Sequence, residues 1–293
     1  MLDAFAGNVA VADVLDRAGK ALDQDIAGLI ANGPAEALNL TVNTQPAMLT
    51  AGYAVYAAWK AAGGRTPDVM AGHSLGEYTA LTAAGVLSLE DAVRLVRIRA
   101  EAMQSAVPVG EGGMAAILGL DDDSVRRVCA ESAQGEVVEA VNFNAPAQVV
   151  IAGHKGAVER ACNAARAAGA KRALPLPVSA PFHSSLLQPA AEVLRVAIDR
   201  ITLSVPQVPV INNVDVASPA EPAAIADALV RQAWHPVRWV ETIQAMKAQG
   251  VSHIVECGPG KVLTGLVKRI DGSITALAIT DPASLEAALA ATA

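Results

Sequence analysis

Pro67-Asp68-Val69-Met70-Ala71-Gly72-His73-Ser74-Leu75-Gly76-Glu77-Tyr78 carries the strongest local signal in the chain. Pro67 to Gly72 is a short, mostly apolar run of buried-strand character, and Glu77 to Ala84 is helical in pattern. Gly72-His73-Ser74-Leu75-Gly76 therefore reads as a Gly-x-Ser-x-Gly turn between a strand and a helix. Glycine at both ends permits a sharp turn that lifts the Ser74 hydroxyl clear of the sheet. The N–H of Leu75, at the helix start, is then free to face a developing oxyanion. A chain with 23 glycines can produce such a pentapeptide by chance. The strand before and the helix after it favour a nucleophile.

Outward from this turn, the first 62 residues read as helices, with Thr44-Gln45-Pro46 opening a long Ala-rich one that ends at Gly63-Gly64. Ser88 and Asp91 look like a capping pair for a helix running to about Ala106. After the break at Gly110, Gly112 and Gly113 the pattern changes. Strands are expected over Met114–Leu120, Val137–Phe143, Gln148–Ala152 and Arg172–Leu176, with helices over Asp122–Ser132 and Lys155–Gly169. That order is βαββαβ, the ferredoxin-like arrangement. Alternation of helix and strand then resumes: a helix from Leu186, a strand Val208–Asn212, a helix from Pro222, a strand Ser252–Cys257, a helix from Lys261 and a strand Ile274–Ile279. The expected architecture is α/β. A large domain with a parallel sheet, residues 1–110 and 179–293, is interrupted by a small ferredoxin-like domain, residues 111–178. Such an insert places a site in the cleft between the two.

Composition narrows the function. Across 293 residues, 53% are hydrophobic, 17% charged and 3% aromatic, which suits helices packed on a buried sheet. A formal net charge of −7 argues against nucleic acid, because phosphate neutralisation needs a basic face. Cys129, Cys162 and Cys257 are odd in number and far apart, matching neither a disulfide framework nor a zinc site. No export signal opens the chain, and the longest uncharged apolar run, Pro46 to Trp59, is shorter than the about 20 residues a bilayer requires. A soluble, cytoplasmic protein without membrane contact is expected. Gly258-Pro259-Gly260-Lys261 is not a phosphate loop, since Val262 stands where Ser or Thr is needed and Val255 replaces the earlier glycine.

A serine nucleophile needs a base. His73 adjoins Ser74 with its side chain expected to point away; His154 follows a strand, His235 precedes a proline, and His253 begins a strand. His183, in Ser179-Ala180-Pro181-Phe182-His183-Ser184, stands where the chain re-enters the large domain and can project into the cleft. Read alone, a loop histidine is more often a solvated surface residue.

In several stretches the chain resembles the malonyl-CoA:acyl-carrier-protein transacylases of bacterial fatty acid synthesis. They are Thr44-Gln45-Pro46-Ala47, Gly72 to Tyr78, Arg97-Ile98-Arg99, Val141-Asn142-Phe143-Asn144, Gln148 to Gly153, Pro181-Phe182-His183, Val210-Ile211-Asn212-Asn213-Val214 and Glu256 to Lys261. They occur in order over nearly the whole chain. The resemblance implies a hydrolase-like large domain with a ferredoxin-like insert. It also implies transfer of a malonyl group from malonyl-CoA to the phosphopantetheine thiol of acyl carrier protein, with no bound cofactor and a monomeric enzyme. It assigns Ser74 as the acylated nucleophile and His183 as its base, oriented by the backbone carbonyl of Gln232 in place of a carboxylate. Arg99 matches the arginine that binds the malonyl carboxylate, a role a guanidinium fork fills well. Without the resemblance, nothing distinguishes Arg99 from Arg94 and Arg97. His73 and Leu75, flanking the nucleophile, fall among the substrate-contacting residues. Gln45 and Asn144 match polar cleft residues near the substrate. Phe182 matches a bulky residue that crowds an α-methyl, a selection worth only about 1–3 kcal/mol. Lys171 with Arg172, or Lys268 with Arg269, are candidates for docking an acidic carrier.

The chain departs from the family in one place. The family opens with a strand and a Phe-Pro-Gly-Gln-Gly-Ser-Gln loop, whose glutamine supplies a second oxyanion N–H, and no counterpart precedes Met1-Leu2. An internal methionine of a longer protein, or a truncated form, is the expectation. Two rival readings remain: a serine esterase, and an inactive domain that only binds carrier or synthase partners.

Overall fold

The computed structural model describes residues 1–178 and 180–293. Position 179, the expected start of the second large-domain segment, lies outside the described residues.

The amino-terminal layer is helical: α1 (Val9–Leu22), α2 (Ile26–Asn32), α3 (Ala35–Leu38) and α4 (Thr41–Ala61). The Asn8 side chain caps α1 by accepting from Val11 N. Helix α4 begins at Thr41, earlier than the expected opening at Thr44, because Asn43 and Thr44 N–H both bond Leu40 O. Pro46 consequently lies inside the helix, and the face bearing Gln45 and Leu49 is buried.

Strand β1 (Met70–Ala71) leads through the Ser74 turn into α5 (Leu75–Ala83), followed by α6 (Leu89–Ser105). Ser88 caps α6 by accepting from Asp91 N. The antiparallel unit comprises β2 (Gly112–Leu118), α7 (Asp122–Ala133), β3 (Val138–Ala145), β4 (Gln148–His154), α8 (Lys155–Ala167) and β5 (Arg172–Pro175). Its strands are ordered β3-β4-β2-β5, the ferredoxin-like sheet expected from the βαββαβ pattern. Val149, Ile151 and Ile117 from the sheet pack with Val125, Val158 and Cys162 from the two helices in a separate core.

The chain then forms α9 (Gln188–Ile198), β6 (Val210–Ile211), α10 (Pro222–Gln232), α11 (Trp239–Ala248), β7 (His253–Cys257), α12 (Val262–Ile270), β8 (Thr275–Ile279) and α13 (Pro282–Ala291). Strands β1 and β6 pair in parallel, as do β7 and β8. The expected strands Pro67–Gly72 and Val208–Asn212 shrink to two residues each, since each has a single neighbour. Between β1 and β7 lies a cavity of about 740 Å³ that reaches His73, Leu75 and Gly76. Among the described residues, no helix is long and apolar enough to cross a membrane.

The Ser74 turn depends on one glycine rather than two. A Cβ on Gly72 would fall 1.9 Å from the carbonyl carbon of Gly76 and 2.0 Å from its oxygen, both backbone atoms that cannot swing aside. A Cβ on Gly76 meets nothing within 4 Å. Gly72→Ala is expected to lower unfolding free energy by about 3 kcal/mol, whereas Gly76→Ala leaves it within about 1 kcal/mol. Urea denaturation of both variants checks the difference; equal effects would contradict this account of the turn.

Candidate active site

Ser74 is the N-cap of α5 and sits at φ +51°, ψ −109°, a conformation a non-glycine residue holds only when its surroundings enforce it. Asn213, just beyond β6, provides the enforcement. Its Oδ1 accepts from Ser74 N at 2.7 Å, and its Nδ2 donates to Gly72 O at 2.8 Å. Leu75 opens the helix, so its N–H has no intrahelical acceptor and is available to an oxyanion.

His183 follows Pro181-Phe182 at φ +66° and is 3% exposed. Its Nε2 lies 2.7 Å from Ser74 Oγ, and its Nδ1 lies 2.8 Å from Gln232 O. A carbonyl only accepts, so the proton resides on Nδ1 and Nε2 offers a lone pair to the Ser74 hydroxyl. Gln232 is the last residue of α10, where carbonyls lack helical partners. Burial, and then the charge of Arg99, push the imidazole down to about 3 from its ordinary 6.5.

Arg99 projects from α6 and is 2% exposed. One terminal nitrogen donates to Gln45 Oε1 at 2.7 Å. The other donates to Gln232 Oε1 at 3.0 Å and to Ser74 Oγ at 3.1 Å. The guanidinium carbon stands 5.3 Å from the centre of the Tyr78 ring. Burial pulls its pKa down, but a guanidinium remains charged at any working pH. No carboxylate pairs directly with this cation among the described residues; neutral oxygens alone touch it.

Ser74, His183, Arg99, Gln45 and Gln232 thus converge on one point. His73 turns away from Ser74: its Nε2 lies 2.7 Å from Asn144 Oδ1, and its ring meets the edge of Trp239. Asn144 and His73 line the cavity beside Leu75. Phe182 packs between the large core and the antiparallel sheet. Lys171, Arg172, Lys268 and Arg269 are all exposed. Two buried residues were given no role from sequence, Asn213 and Glu77. A lone carboxylate within Leu75-Gly76-Glu77-Tyr78-Thr79-Ala80-Leu81, otherwise apolar or small, was the available signal for Glu77. Among the described residues no cluster of His, Cys, Asp or Glu could hold a metal ion.

Residues 3–276 match the acyl transferase domain family. A malonyl CoA-acyl carrier protein transacylase of Salmonella typhimurium is 56% identical over 290 residues, covering 99% of this chain and 94% of that protein. The chain belongs to the malonyl CoA-acyl carrier protein transacylase family. An acyl-carrier-protein S-malonyltransferase from Burkholderia pseudomallei superposes with a TM-score of 0.98 at 63% identity, over 99% of this chain and 94% of that one. A malonyl-transacylase in complex with the acyl-carrier protein of a type II PKS superposes at 0.97 with 50% identity, over 99% and 94%. The fold is therefore that of the transacylase family.

The depressed pKa of His183 has a kinetic sign. A base that protonates only near 3 stays neutral, and competent, through the range where a free histidine gains a proton. The rate of Ser74 acylation by the thioester donor is expected to be flat between about pH 5 and pH 7. Rapid-quench measurement of acyl-enzyme formation checks this, and an acid limb centred on the ordinary 6.5 would contradict it.

Proposed function

We propose that this chain transfers a malonyl group from malonyl-CoA to the phosphopantetheine thiol of acyl carrier protein, for fatty acid biosynthesis, through an acyl-enzyme on Ser74. The observation that carries this reading is a buried cation, Arg99, touching the same hydroxyl that the base His183 touches. A plain serine esterase has no use for a buried cation at its nucleophile, and a domain that only binds carrier has no use for a base at 2.7 Å.

In the first half-reaction His183 Nε2 takes the Ser74 proton as Oγ attacks the thioester carbonyl. Leu75 N–H holds the oxyanion, and collapse expels coenzyme A with the proton from His183. In the second, the phosphopantetheine thiol gives its proton to His183 and attacks the Ser74 ester. Ser74 Oγ then leaves with that proton. Arg99 binds the malonyl carboxylate by exchanging amide oxygens for two charge-assisted hydrogen bonds. Neutralising the cation removes one of the three causes that depress His183, the others being burial and the neighbouring His73, so the bound carboxylate also makes the base stronger. Gln232 O fixes the tautomer of the base. Gln45 holds the guanidinium from α4, His73 and Asn144 contact the substrate from beside Leu75, and Phe182 crowds a substituted α-carbon. No bound cofactor enters these steps.

The proposed domain division is 1–110 with 179–293 as the catalytic unit and 111–178 as the insert that closes over it. Exposed Lys171, Arg172, Lys268 and Arg269 are the proposed contacts for an acidic carrier, and the cytoplasm is the proposed compartment.

Ser74→Ala is expected to abolish the malonyl adduct seen by intact-protein mass spectrometry; an adduct of normal stoichiometry would overturn the nucleophile assignment. Arg99→Ala is expected to reduce malonyl loading by about 100-fold and acetyl loading far less. Equal losses for the two acyl groups would remove Arg99 from the carboxylate role.

A further inference from the structure

Glu77 is a carboxylate buried at 2% exposure, one turn into α5, and no step above uses it. It does not touch His183, whose Nδ1 is taken by Gln232 O. Its Oε2 instead accepts from Asn213 N at 2.8 Å and from Gln232 Nε2 at 3.0 Å. Those two residues hold every reacting group. Asn213 clamps the turn on both sides of Ser74 through Ser74 N and Gly72 O. Gln232 presents its backbone oxygen to the base and its Oε1 to Arg99, while its Nε2 also donates to Ser74 O at 2.9 Å.

The amide of Gln232 has one orientation that works. Arg99 is donor-only, so Gln232 must offer it the oxygen and turn the NH₂ the other way. The NH₂ then needs two acceptors, and Ser74 O and Glu77 Oε2 supply them. Burial pushes the Glu77 carboxyl up to about 7, yet Oε2, which also accepts from Asn213 N, offers the NH₂ an acceptor in either protonation state. We propose that Glu77 is a positioning residue for this site: one carboxylate oxygen, by accepting from Asn213 and Gln232 together, sets the nucleophile turn, the base and the carboxylate clamp in register. What matters is the acceptor at that position, because Glu77 lies outside direct pairing with Arg99. This inference rests on the acyl-transfer reading above.

The test compares Glu77→Ala, Glu77→Gln and Gln45→Ala with the wild type, using malonyl-CoA and p-nitrophenyl acetate, an acyl donor without a carboxylate. Gln45 touches Arg99 alone, whereas Glu77 reaches both Ser74 and Arg99 through its partners. Glu77→Ala is expected to lower kcat about 100-fold with both donors, with KM within about threefold. Glu77→Gln, which keeps an acceptor oxygen, is expected to restore kcat to within about fivefold of wild type. Gln45→Ala is expected to impair malonyl-CoA turnover more than p-nitrophenyl acetate turnover. Should Glu77→Ala fail to fold by circular dichroism, Glu77→Asp, shortened by one methylene, replaces it with the same expected loss. The proposal is overturned if the shortened or truncated variant retains kcat, loses activity with malonyl-CoA only, or is matched in its loss by Glu77→Gln. A wild type that acylates with neither donor would instead sink the transferase reading itself.

Discussion

A guanidinium with almost no access to water sets the terms for everything around it. Burying an ion costs several kcal/mol unless its donors are matched. Arg99 meets that demand with three oxygens drawn from distant parts of the chain: Gln45 on α4, Ser74 at the head of α5 and Gln232 at the end of α10. Satisfying one cation thus gathers the nucleophile, the clamp and the residue that orients the base. Its Nε is buried as well, with no hydrogen-bond partner among the described residues. Burial first, and then the same charge, hold His183 neutral, so that the base enters the reaction unprotonated.

The antiparallel unit contributes by location. Glu139 on β3 accepts from both the N–H and the hydroxyl of Ser185, two residues beyond the base, at 2.8 Å each. Phe182, one residue before the base, packs between the large core and the sheet residues Met114, Val141 and Val150. The histidine is therefore held from the sheet side on both flanks. This is how a residue at φ +66° in a connecting segment becomes as fixed as one in a helix.

Much of this was legible in the sequence, for reasons that differ by residue. The Ser74 turn is a local feature: strand, glycine, nucleophile and helix follow one another within a dozen positions. The βαββαβ order was legible because helical and strand periods alternate cleanly there. Arg99 was not separable from Arg94 and Arg97 by pattern; burial distinguishes it, and only the family resemblance pointed to it beforehand. Asn213 and Glu77 escaped notice because their work lies in pairings between positions far apart in the chain, which no periodicity records. The start of α4 was misjudged because proline marks a first turn only when nothing upstream already supplies a carbonyl, and Leu40 does. The two-residue strands were overestimated for a similar reason, since strand length follows the neighbour and not the apolar run.

The central claim is that one acyl group spans Ser74 and Arg99 while His183 serves the ester end. The most direct measurement is a crystal structure of the enzyme frozen after brief exposure to malonyl-CoA. The account requires an ester on Ser74 Oγ, the free carboxylate forked on the Arg99 guanidinium, and His183 Nε2 within hydrogen-bond reach of the ester oxygen. A malonyl group esterified elsewhere, or one whose carboxylate points to solvent with Arg99 still bonded only to Gln45 and Gln232, would contradict it.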